Sequence, residues 1–234
     1  AKKGKKIISA DYSQVELRIM AEFSQEKNLI DAFLNDVDVH TRTAALINNI
    51  DESSVNSNQR RTAKVVNFGI MYGAGPFRMS QELGISIKEA KDLISIYFST
   101  YPNIKKYMDE TILSAKERGY VKTLLGRKKK INLFNQTSIP MQKAEERALI
   151  NMPIQGTAAE LIKLAMINIF HKFKINNLNA KMILQIHDEL LFECDEGELN
   201  IVENIIIDEM ESAMSLSVPL KVACSSGKNW YEAH

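Results

Sequence analysis

Two acids stand side by side in KMILQIHDELLFEC (Lys181 to Cys194), where His187, Asp188 and Glu189 separate two short apolar runs. Adjacent carboxylates at the tip of a buried hairpin repel each other and lose hydration, a cost that a bound cation or a catalytic task can offset. A solvated polar turn is the ordinary alternative, and this stretch alone does not separate the two. A further acid, Asp11, follows the run Lys5 to Ala10. It sits at the carboxyl end of an expected strand, where catalytic carboxylates often lie, although helix capping accounts for many such aspartates. The other chemistry-bearing group is cationic and aromatic. Arg60, Lys64, Phe68 and Tyr72 recur every four residues in QRRTAKVVNFGIMYGAG (Gln59 to Gly75), which on an α-helix lines them along one side, cations at one end and rings at the other. Cations match a chain of phosphates and a flat ring can stack on a base. Solvated cations above core aromatics would produce the same spacing.

These residues need elements to hold them. Met182, Leu184 and Ile186 alternate with Ile183, Gln185 and His187, which predicts a strand largely buried on one face; Leu190, Leu191, Phe192 and Cys194 predict its partner. The reversal between them lacks the Gly or Asn that tight hairpin turns prefer, so turn chemistry did not select His187, Asp188 and Glu189. After Asp11 the pattern turns amphipathic and helical from Val15 to Phe23. Asp31 to Ile50 is helical in character, with Asp38 or Thr41 as cap and His40 at its start, a position more often capping or packing than ligating. The stripe helix should end near Tyr72, because Gly69, Gly73 and Gly75 lower helix propensity. Two helices broken at Gly84 follow, the second capped by Ser86 and stopping before Pro102; Asn103 to Arg118 is a further helix closed by Gly119. Tyr120 to Leu125 could be a strand ending in a basic loop, Gly126 to Lys130, able to grip backbone phosphate. Gln142 to Met152 is helical and interrupted by Pro153, and a long helix then runs to about Lys174, with Arg147, Asn151 and Gln155 spaced by four. Glu203 to Met214 is a helix and Val218 to Cys224 a last strand. Strands thus gather at the two ends of the sequence around a mostly helical insertion of roughly a hundred residues, an α+β arrangement.

Composition narrows the classes. A chain of 234 residues with 45% hydrophobic content can bury a sizeable core in one large domain or two smaller ones. Thirty Lys and Arg against 29 Asp and Glu leave a net charge of +1, so overall charge carries no polyanion signature, while a local basic face stays open. Two cysteines, Cys194 and Cys224, are too few for a disulfide framework and lack zinc spacing. They are expected as reduced thiols on strands. No apolar run approaches a membrane span, and AKKGKKIISA has no signal-peptide core, so a cytoplasmic location is expected.

Three separated stretches resemble one family. DYSQVELR (Asp11 to Arg18), RRTAKVVNFGIMYG (Arg60 to Gly73) and QIHDELLFE (Gln185 to Glu193) look like the three polymerase motifs of family A DNA polymerases, in the right order. GRKKKI, AEERALINMPIQGTAAELIK and the closing GKNWYEAH are also similar, so the likeness covers essentially the whole chain. It implies an antiparallel palm sheet with flanking helices, interrupted by helical fingers: residues 1–20 and 141–234 as palm, 21–140 as fingers. The resemblance makes Asp11, Asp188 and Glu189 catalytic, with Asp11, Tyr12 and Asp188 as the set for two Mg²⁺ ions. It makes Gln14, Glu16, His40, Arg60, Lys64, Phe68 and Tyr72 nucleotide-binding, with Glu16 excluding a ribose 2′-hydroxyl. Arg147, Asn151, Gln155 and His187 become contacts to primer or template. The implied partners are primer-template DNA and deoxyribonucleoside triphosphates, with no membrane, in a monomer of the bacterial cytoplasm associated with the nucleoid and serving DNA replication and repair. The chain starts just before the first motif, so the family's thumb, initial palm segment and any exonuclease domain are expected to be missing from it. The alternative is therefore a folded fragment that binds nucleotide or DNA without extending a primer. An RNA polymerase of the same superfamily is disfavoured by Glu16.

Overall fold

The β-branched pair Ile7-Ile8 and the alternation around it open the chain as strand β1 (Lys5–Tyr12), in a computed structural model that describes residues 1–131 and 138–234. Asp11 lies one residue from its end. Gln14 adopts a φ of +56°, and its carbonyl accepts from the backbone of Leu17 and Arg18, turning strand sharply into helix α1 (Val15–Ser24). The chain divides into a sheet unit, residues 1–18 and 158–234, and a helical unit, residues 19–157.

In the helical unit, α2 (Lys27–Leu34) precedes α3 (Val39–Asn48), whose N-cap is Asp38, accepting from Thr41 N at 2.7 Å. Helix α4 (Ser57–Met71) opens with a capping box between Asn56 and Gln59 and ends at Tyr72, as its glycines predict. α5 (Pro76–Leu83) stops at Gly84 in the left-handed region; α6 (Ile87–Thr100) starts from a Ser86–Glu89 capping box; α7 (Pro102–Arg118) closes on Gly119. A small hairpin follows, β2 (Tyr120–Lys122) and β3 (Lys128–Lys130). The basic cluster expected in a loop is thus half strand, with the Lys128 ammonium 4.4 Å from the Tyr120 ring centroid. The tail of the GRKKKI similarity, Ile131, is buried with Ala115, Val121 and Leu149.

Helix α8 (Ile139–Ile175) corrects a prediction: Pro153 does not interrupt it. The proline's missing N–H costs the Leu149 carbonyl one turn earlier its helical partner, yet the helix runs on through it; Thr157, one turn on, back-bonds its hydroxyl to the Pro153 carbonyl at 2.6 Å.

The sheet unit pairs β1 with β4 (Lys181–Ile186), β5 (Glu189–Asp195) and β6 (Val222–Gly227) in the antiparallel order β4-β5-β1-β6. Between β5 and β6 lies α9 (Leu199–Glu211), and α10 (Trp230–Ala233) ends the chain. Ile8, Ala10 and Tyr12 share one face with Phe192, Leu190 and Cys194. There the Tyr12 hydroxyl donates to the Met210 carbonyl of α9 at 2.6 Å, and Phe173 of α8 meets Phe192 edge-on at 5.9 Å. Ser9 and Asp11 lie on the opposite face with Leu191 and Glu189. Two expectations fail here. β4 is not largely buried: it is an edge strand whose Ile183 and Leu184 are each 51% exposed, and a bulge between Met182 and Leu184 breaks the alternation. The last strand starts four residues later than its apolar pattern suggests, because Pro219 has no N–H for a ladder; Val218 and Leu220 are buried outside it, and the Pro219 carbonyl instead accepts from Arg18 at 2.5 Å.

Candidate active site

Register assembles the acids. β1 and β5 pair Asp11 opposite Glu189, and β4 and β5 pair Ile186 opposite Glu189, leaving His187 and Asp188 as a two-residue loop. Tyr12 N donates to the Asp188 carbonyl at 3.4 Å, so two acids 177 residues apart in sequence meet at one end of one sheet. His187 holds a φ of +53°, a conformation glycine or asparagine adopts at less cost, and Gln185 Nε2 donates to its carbonyl at 3.0 Å. Partial burial and the neighbouring charges of Asp188 and Glu189 push the Asp11 carboxyl from 3.8 up to about 6, against a smaller opposing effect of His234. Such crowding of like charge is what a hard divalent cation with oxygen ligands relieves. Gln14 and Glu16, both partly buried, follow Asp11 at the start of α1.

Glu189 behaves differently from the two aspartates. Its side chain is buried and points back along β1, where Ser9 Oγ donates to Oε1 at 2.6 Å and Trp230 Nε1 donates to the same oxygen at 2.9 Å. Among the described residues no three His, Cys, Asp or Glu side chains are grouped closely enough to hold a metal. A hard cation at this sheet end would have Asp11 and Asp188 as its candidate donors, and carboxylate oxygens suit magnesium, which keeps much of its hydration and takes few protein ligands.

The α4 stripe is in the helical unit. Arg60 and Lys64 are exposed, Phe68 and Tyr72 partly buried with ring centroids 6.4 Å apart, while Ala63, Val66, Asn67 and Ile70 fill the buried side. Core aromatics under solvated cations therefore do not describe it. Arg60 Nε and Nη2 each donate at 3.0 Å to the Asp38 carboxylate. Burial raises the Asp38 carboxyl, but hydrogen bonds from Arg60 and Thr41 prevail and bring it down to about 2. His40 is buried, accepts from Asn67 Nδ2 through Nδ1 at 3.0 Å, and lies 5.7 Å from the Phe68 ring. Burial lowers its pKa to about 4, helped by Arg60 and Lys64, so it is a neutral support behind Phe68.

Arg147 and Asn151 of α8 reach the end of that helix. A Cβ on Gly73, whose φ is +72°, would come within 2.7 Å of Arg147 Cγ, so only glycine admits the arginine there. Asn151 Nδ2 points at the Tyr72 carbonyl at 3.5 Å, and its buried Oδ1 has no partner among the described residues. The β2–β3 hairpin docks on the next turn, where a Cβ on Gly156 would meet Thr123 at 2.6 Å and Thr157 Oγ1 accepts from Leu124 N at 3.1 Å. This brings Lys129 beside Asn151 and Gln155 around a groove of about 470 Å³.

Sequence reasoning missed Asp38 as the partner of Arg60, and Ser9 and Trp230 as partners of Glu189. Asp38 was legible as a cap, which hid its second task; the similarity of GKNWYEAH marked Trp230 without giving it one.

Residues 1–232 match the sequence profile of DNA polymerase family A, and the chain belongs to that family. It is similar to DNA polymerase I of Caldicellulosiruptor bescii, 46% identical over 98% of this chain and 27% of that protein, and of Bacillus subtilis, 44% identical over 97% and 26%. The chain thus spans about a quarter of the length of the curated relatives it matches. Among solved structures it is similar to the POL domain of Pol1 from M. smegmatis in complex with DNA primer-template and dNTP, with a TM-score of 0.96 and 36% identity over 100% of this chain and 41% of that one. Among the described residues no helix is long and apolar enough to cross a membrane.

Proposed function

We propose that the chain is the catalytic region of a template-directed DNA polymerase, adding deoxyribonucleotides to a primer 3′-hydroxyl with release of pyrophosphate. The observation that carries this reading is the register that brings Asp11 to Asp188 and Glu189 at one end of the sheet, with the Asp11 carboxyl raised to about 6. Asp11 and Asp188, with Tyr12 beside them, are the residues to hold two Mg²⁺ ions. Such ions supply an activated primer hydroxyl and compensation for charge on the leaving pyrophosphate. We assign residues 1–20 and 141–234 to the palm and 21–140 to the fingers. Lys64 offers an exposed ammonium to the triphosphate, and Asp38 holds Arg60 extended for the same task. Phe68, backed by His40, presents a ring to the incoming nucleotide, with Tyr72 next to the templating base. We assign Glu16 and Gln14 to the sugar of the nucleotide, Glu16 as the residue that excludes a 2′-hydroxyl. Arg147, Asn151, Gln155 and His187 contact primer or template, and Asn151 Oδ1, which has no partner among the described residues, is an acceptor for that contact. The structural relative bound to primer-template and dNTP supports these partners.

A primer-extension assay tests the reading, run on the 234-residue chain and on a form carrying the preceding sequence of its relatives. Asp188→Ala should lower incorporation by about 10³-fold or more while leaving DNA binding within about twofold. Retained turnover would refute the assignment.

A further inference from the structure

The last turn of the chain is built with more care than a four-residue helix needs. So short a helix does not hold itself, yet Asn229 caps it by accepting from Glu232 N at 3.0 Å, and Glu232 Oε2 accepts from Lys228 N at 2.9 Å. Ala233 is fully buried against Ile7 and Leu191, on the sheet face that carries the acids. A Cβ on Gly227 would lie 2.4 Å from Glu232 Cβ, so the chain can fold back this tightly only at glycine. The turn delivers Trp230, whose indole N–H meets Glu189 Oε1 at 2.9 Å, and His234, whose Nδ1 is 3.6 Å from the same oxygen. Packing does not account for the tryptophan, which is 47% exposed while its N–H is committed to a carboxylate that is 5% exposed.

We propose that this terminal turn belongs to the catalytic apparatus and that Trp230 is a positioning residue: with Ser9, it pins Glu189 against β1. The inference rests on the polymerase reading above. Three acids share one sheet end, and a third carboxylate free to swing would compete for the ions meant for Asp11 and Asp188. Two donors on Oε1 satisfy the buried carboxylate and fix its direction, so that its charge is felt at the site while its oxygens stay out of it. Losing such a supporting hydrogen bond at a metal site costs roughly 10–100-fold in activity or metal affinity.

The test is a double-mutant cycle in a primer-extending form. Trp230→Phe, which keeps a ring but deletes the donor, should lower kcat about tenfold and change the KM for nucleotide by less than about twofold. In a Glu189→Gln background the same change should cost almost nothing more, because both act through one contact. A second readout needs no activity. Trp230 is the only tryptophan, so the 234-residue chain has one indole N–H resonance, and Glu189→Gln should move it upfield while Asp109→Asn, on exposed α7, leaves it in place. Full activity of Trp230→Phe, costs that multiply in the double variant, or an indole resonance indifferent to Glu189→Gln would each overturn the proposal. Should Trp230→Phe fail to fold, Ser9→Ala carries the cycle from the other donor to the same oxygen. If no form incorporates nucleotide, the polymerase reading falls and takes this one with it; if the parent protein incorporates and Trp230→Phe matches it, only this one falls.

Discussion

Replacing Asp11 by Asn should make the sheet unit more stable while removing the polymerase activity proposed for the chain. In the folded chain the Asp11 carboxyl titrates near 6 in place of 3.8, because burial and the charges of Asp188 and Glu189 disfavour its ionised form. At full value that displacement corresponds to roughly 3 kcal/mol. The group is only partly buried, and solvent screening reduces the figure to about 1–2 kcal/mol. A raised acid stabilises the fold fully below its unfolded value, and that contribution is lost as pH rises through about 6. The neutral amide escapes the loss. Asp11→Asn should therefore match the parent protein at about pH 4 and exceed it by about 1–2 kcal/mol near pH 7.5. Urea unfolding followed by the emission of Trp230, the only tryptophan and a member of the same unit, measures this directly. Millimolar Mg²⁺ should stabilise the parent but not the variant, closing the gap, since a ligand of the folded state raises stability by mass action. A variant less stable than the parent near pH 7.5, or a gap that does not change between the two pH values, would refute the electrostatic reasoning.

Lys64→Ala removes an exposed cation that no described salt bridge engages; single-nucleotide kinetics should show KM for the triphosphate rising about tenfold, with a smaller change in kcat. Glu16→Ala should raise ribonucleotide incorporation relative to deoxyribonucleotide by at least about tenfold, because it deletes a repulsive element without adding an attractive one; matched competition assays read the ratio, and an unchanged ratio would show that Glu16 is not the gate.

The helical unit was legible because its punctuation is local. Ser86, Gly84, Gly119 and the glycines after Met71 set ends that the structure reproduces. The sheet was less so. Periodicity in KMILQI reports that side chains are apolar, not that anything covers them, and β4 lies at an edge with Ile183 and Leu184 half exposed. Pro153 was misread for a similar reason: a proline costs one helical hydrogen bond, and whether the surrounding packing carries the helix through that loss is not written in the local sequence. A period of four was enough to put Arg60, Lys64, Phe68 and Tyr72 along one helix, whereas Asp38, Ser9 and Trp230 act on Arg60 and Glu189 across 22, 180 and 41 positions. No local pattern encodes such distances.

The two ends of the same strand show why those long-range partners matter. At its amino end β1 carries Lys5 and Lys6, and each meets an acid from the end of β5: Lys5 Nζ lies 2.7 Å from Asp195 and Lys6 Nζ 3.7 Å from Glu196. Charges there are matched and partly solvated, an arrangement that contributes little and costs little. At its carboxyl end β1 carries Asp11 opposite Glu189, acid against acid, where cross-strand pairing of like charge is destabilising. Nothing in strand propensity requires that choice, since lysine at either position would have repeated the neutral pattern found six residues earlier. The molecule instead meets the mismatch in two ways. Glu189 is turned aside onto neutral donors, Ser9 and Trp230, and Asp11 is left with Asp188 and a pKa near 6. On the polymerase reading proposed above, a strand that neutralises one end and keeps the other acidic is organised to bind positive charge at the second, and the terminal turn that holds Glu189 back would leave Asp11 and Asp188 to receive it.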